Sequence, residues 1–126
     1  MAGTVTIEET EWTSVKKIVF TWVSENGGDD AGKATGATTA SFTGLLQRVV
    51  QIPDSGGTQP SNEYDVVVND SDGVDVLHGN GADLSNAATT VKDYTDGIGA
   101  VVNSTLSLSV TNAGNAKGGT TIIYLR

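Results

Sequence analysis

The chain has 126 residues, seven Lys plus Arg against fifteen Asp plus Glu, and a formal net charge of −8. That length fits one domain, its 37% apolar and 17% charged content excludes a disordered acidic tail, and no apolar run approaches the ~20 residues of a membrane-spanning helix. The lack of cysteine excludes disulfides and thiolate chemistry, a single histidine leaves little for imidazole metal sites, and a pI near 4.3 argues against nucleic acid as a partner.

Sixteen Gly, two Pro and abundant Thr, Ser and Val favour short strands joined by tight turns. No basic segment followed by an apolar core opens the chain, so no signal peptide is expected. Val5 and Ile7 alternate with Thr4, Thr6 and Glu8, which makes residues 1–10 an edge strand or a docking arm. In 15–24, Ile18, Phe20 and Trp22 share one face while Val15, Val19 and Val23 share the other. A strand apolar on both faces is central, or buried against a neighbouring subunit.

The cluster at 26–30 stops this strand, and 27–44 reads as a long small-residue loop or an edge strand, with Phe42 as its one large apolar anchor. A strand follows over 45–52, with Leu46, Val50 and Ile52 on one face, and Pro53 ends it. Tyr64, Val66 and Val68, the turn at 70–73, and then Val74, Val76 and Leu77 read as a hairpin. Leu84, Ala87, Ala88, Val91 and Tyr94 fall at helical spacing, predicting at most one short helix between Asp83 and Thr95. Leu106, Leu108 and Val110 alternate with polar residues, and 122–125 form a terminal strand. The whole predicts a single all-β domain over 1–126, a small sandwich or barrel of about seven to eight strands. Its expected core is Ile18, Phe20, Trp22, Leu46, Val50, Val66, Leu106, Leu108 and Ile122.

Motifs that carry chemistry are incomplete. Gly27 to Lys33 has phosphate-loop spacing, but Ala34 stands where a hydroxyl must hold magnesium, and Asp29 and Asp30 would repel phosphate. Asp54-Ser55-Gly56-Gly57 looks like the nucleophile segment of chymotrypsin-type proteases, yet Pro53 removes an oxyanion-hole N–H and His78 lies on the wrong side of the serine. Asp70, Asp72 and Asp75 offer carboxylates to a weak calcium site, but Gly73 comes too early for a helix-flanked calcium loop. An Asp-rich turn is the plainer reading. Trp12, Phe20 and Trp22 are either core or a sugar-stacking platform. No catalytic residue and no cofactor is expected. Between Arg48 and Lys92 there is no Lys or Arg, so the acidic residues there either solvate turns or steer the protein to a basic surface.

Phe20-Thr21-Trp22, Ala31-Gly32, Phe42-Thr43-Gly44-Leu45, Arg48-Val49-Val50, Tyr64-Asp65-Val66, Asp75-Val76-Leu77, Gly79, Gly81 and the 118–125 end resemble the decoration, or cement, proteins of tailed-bacteriophage heads. The resemblance implies a non-enzymatic virion protein, made in the bacterial cytoplasm. It would bind the major capsid protein on the outer shell surface, commonly as a homotrimer, with no nucleic-acid or membrane partner. The alternatives are a tail, baseplate or receptor-binding component, and a carbohydrate-binding or adhesion module. Candidate docking residues are Thr4, Val5, Thr6 and Ile7 in the N-terminal segment, and Thr38, Thr39 and Phe42 in the small-residue loop.

Overall fold

The structure, a computed structural model, describes residues 3–126. Nine strands form among them: β1 (Thr4–Glu11), β2 (Lys16–Val23), β3 (Ala34–Ala37), β4 (Phe42–Pro53), β5 (Asp65–Asn69), β6 (Thr90–Asp93), β7 (Val101–Ser104), β8 (Ser107–Thr111) and β9 (Gly118–Leu125). The only helical pieces among the described residues are single 3₁₀ turns at Gly56–Thr58 and Tyr94–Asp96. One sheet has the order β1-β2-β9-β4-β6, with β7 paired to the start of β4, and the other has the order β3-β8-β5. Every named ladder is antiparallel. The chain is all-β.

Period-two alternation builds the core. Ile18, Phe20 and Trp22 of β2, with Ile123 and Leu125 of β9, meet Val66 and Val68 of β5 and Leu108 and Val110 of β8. Leu46 and Leu106 are core as expected, but Val50, though only 8% exposed, lies on the outer side of the sheet, and Ile122 is only half-buried; the last strand presents Thr121, Ile123 and Leu125 inward instead. In β4 the expected single face is broken. A register shift between Leu46 and Arg48 inverts the alternation, so Val49 and Gln51 point inward and Ile52 points out.

Of the at most one short helix expected between Asp83 and Thr95, only the 3₁₀ turn at Tyr94–Asp96 appears: Leu84 is buried beside an isolated bridge to Tyr64, and 90–93 become β6. Ser85 Oγ accepts the amides of Ala87 and Ala88, a local cap that leads into a bend instead of a helix. The hairpin turn at 70–73 forms, but its second strand is reduced to one bridge, Asn69 to Asp75. There the Asp75 carboxylate accepts the amides of Val68, Leu77 and Gly79, winding 75–79 into turns. The stretch 27–44 is not one loop, because Ala34–Ala37 pairs with β8 as an edge strand.

Tyr64 lies against Trp22, ring centroids 5.6 Å apart, and only 1% of its surface is exposed. Burial, reinforced by the charge of Asp54, pushes its phenol up to about 12. Its folded value is raised above the unfolded one, so its contribution is complete below pH ~10 and is lost as pH climbs from there toward 12. Chemical denaturation across that window is expected to show a loss of roughly 2–3 kcal/mol that Tyr64→Phe removes. An unchanged slope in the variant would contradict this.

Candidate interaction surface

The expected docking residues do not share a surface. Thr4 to Ile7 are laddered along β2, with Thr4 opposite Val23 and Ile7 opposite Phe20, so this segment is an edge strand and not a free arm. Val5 and Ile7 pack on the core, and Val5 lies so close over Gly36 that a Cβ there would come within 2.6 Å of the valine Cβ. Thr38 is buried; its hydroxyl accepts the Leu106 amide at 3.0 Å and donates to the Ala40 carbonyl at 2.9 Å. Phe42 is a core side chain. Only Thr4, Thr6 and Thr39 reach solvent fully. Met1 and Ala2, also in the expected arm, lie outside the described residues.

Residues directly opposed across antiparallel ladders lie on one face, which lets the outer side of the large sheet be read row by row. One row runs Glu8–Val19–Ile122–Val50–Val91 across five strands. Beside it, on one side, runs Thr6–Thr21–Thr120–Ile52. On the other side runs Thr10–Lys17–Tyr124–Arg48–Asp93. Val91 is 50% exposed and Ile52 37%. Lys17 Nζ stands 5.9 Å and Arg48 Cζ 4.9 Å from the Tyr124 ring centroid, so two cations from the neighbouring strands flank one aromatic ring. At the β6 end, Asp93 is held below the ordinary carboxylate range, first by the Thr95 hydroxyl, then by the Thr95 amide and Arg48. Only the outward valines of β2 signalled this face in the sequence; the rows themselves exist only through strand register.

The opposite side of the molecule is different in kind. The outer face of the small sheet carries the rows Thr35–Ser109–Val67 and Ala37–Ser107–Asn69. Together with Gly36 and Leu108 these residues, Val67 apart, line a shallow hollow of about 330 Å³. Short side chains let a partner's backbone come close here.

The acidic turn is built by its own carboxylates. Asp70 Oδ1 accepts the amides of Asp72 and Val74, and Asp75 is occupied by the three amides named above. Asp70, Asp72 and Asp75 therefore do not converge, and among the described residues no three acidic or imidazole groups form a metal set. His78 is exposed, with Nδ1 2.9 Å from the Gly97 carbonyl oxygen. The Gly27–Lys33 segment closes in turns and leads into β3, not into a helix. Ser55 is exposed beside a 3₁₀ turn whose first amides it does not cap. Trp22 is core, and Trp12, 56% exposed, leaves β1 at one edge of the large sheet, while exposed Tyr94 follows β6 at the other. Four strand spacings, roughly 19 Å, separate those edges, too far for one stacking platform.

The fold and these surfaces define a two-sheet β domain with an uncovered face on each side. No protein-family model matches the chain, and no curated protein matches it. Among solved structures it is similar to a cupin domain from Bordetella pertussis Tohama I, at 13% identity and TM-score 0.33, over 99% of this chain and 94% of that one. It is also similar to a structure of carbohydrate-binding modules of the β-sandwich superfamily, at 14% identity and TM-score 0.31, over all of this chain and 55% of that one. Likenesses this loose assign no function.

Proposed function

We propose that the chain is a structural virion protein that binds the outer surface of a tailed-phage capsid and stabilises it, with the major capsid protein as partner and a homotrimer as its working form. The observation that carries this reading is the pair of uncovered sheet faces, aliphatic and basic on one side, small and hydroxyl-rich on the other. A part that repeats over a shell needs two surfaces, one toward the shell and one toward its siblings. Linked copies then gain avidity of ~10²–10⁴ without stronger single contacts. The small-sheet face, with Thr39 nearby, is the proposed capsid-facing side, because its short side chains let backbones approach.

The test is sedimentation of the purified protein with phage heads that lack it. Saturable binding in proportion to head mass is expected, and Ser107→Arg with Ala37→Arg should weaken it while leaving the melting temperature near wild type. Binding to isolated tails but not to heads would overturn the reading.

A further inference from the structure

We infer that the outer face of the large sheet receives the acidic 70–74 turn of a second copy of this chain. The inference rests on the self-association part of the proposed function and assigns its surface. The receiving face is five strands wide, its strands mostly eight residues long. At ~4.8 Å between strands and ~3.4 Å per residue, and with β6 only four residues long, it measures roughly 600 Å², room for a turn and its flanking residues.

Chemistry selects the occupant. The centre of the face pairs an aliphatic row, in which Val19 and Ile122 are half-buried and Val50 is 8% exposed, with a row in which Lys17 and Arg48 flank Tyr124. Asp93 balances part of that charge at the β6 edge and Glu8 lies at the β1 edge, so the basic character is concentrated in the middle. The partner must therefore bring an exposed aliphatic side chain with acidic groups about one row away. The chain carries such a feature. Val74 is 54% exposed, and Asp72 and Asp70 stand two and four residues before it in a turn pinned by the Asp70 carboxylate. Adjacent rows on a sheet face are roughly 7 Å apart, so a valine seated on the aliphatic row leaves the neighbouring Asp72 to meet Lys17 and Arg48 in the next row. Because its own hydrogen bonds already fix the turn, little entropy is lost on docking.

Face and turn are different surfaces, so the contact is heterologous and closes into a ring when the rotation between copies allows. It contains a charged component and is predicted to weaken as salt rises.

Solution mass by light scattering, read against concentration, tests the inference. Wild type is expected to associate. Lys17→Glu with Arg48→Glu should raise the dissociation constant ~tenfold or more. Val74→Asp, which leaves the sheet untouched, should do the same with an unchanged melting temperature. Adding Asp72→Lys to the double charge reversal should restore part of the association. If wild type associates and all these variants match it, the inference fails while self-association stands. A wild type that stays monomeric at every concentration removes both.

Discussion

Trp22→Ala is expected to destabilise the fold by roughly 3–5 kcal/mol, the range for truncating a buried large aromatic. Trp22 is 1% exposed, lies beside Tyr64, and stands at the end of the inward face of β2, after Ile18 and Phe20. Its removal leaves a void bounded by both sheets, where rigid strands cannot collapse to fill it. Trp22→Phe should cost much less, because the buried indole N–H donates to no protein group and its loss breaks no hydrogen bond. Urea denaturation of the three proteins measures the series. A Trp22→Ala protein that melts within a degree or two of wild type would contradict the burial of this ring.

Gly81→Ala is the second large effect expected. Gly81 is buried, and a Cβ on it would sit 2.0 Å from the Val66 carbonyl oxygen, a contact that only backbone movement relieves. The same strand binds the loop through the Val66 amide, which donates to the Gly81 carbonyl at 2.7 Å. Pushing β5 away therefore breaks the covering of its edge, at about 3 kcal/mol, the upper end of overpacking costs. Gly57→Ala, with open space around its Cβ, serves as the control and should stay within ~0.5 kcal/mol.

How much of this was legible in the sequence differs by element. The strand whose polar and apolar residues alternate without interruption, 106–110, carries its own inward face, and in 18–22 and 64–68 the large apolar residues at every second position mark it. β4 does not, because the irregularity after Leu46 changes the phase and nothing in its composition marks the place. The helical spacing from Leu84 to Tyr94 misleads for a physical reason: Ser85, Asn86, Thr89 and Thr90 bond locally or favour extended backbone, and a periodic stripe does not offset that. Asp75 ends the hairpin early by taking amides that a strand ladder would use. Of the candidate docking residues, Thr38 and Phe42 are buried, while Thr4, Thr6 and Thr39 are exposed. Thr38 and Phe42 look like loop residues in a small-residue stretch, yet one satisfies a buried amide and the other fills the core. The outward rows of the large sheet depend on the pairing β2-β9-β4-β6, which joins strands distant in the chain. Composition alone cannot place Val19, Ile122, Val50 and Val91 side by side.

The capsid reading is tested most directly by electron microscopy of phage particles carrying a tagged copy of this chain. The account predicts label repeating over the head surface at the symmetry of the shell. Label confined to the tail or baseplate, or absent from particles altogether, would contradict it.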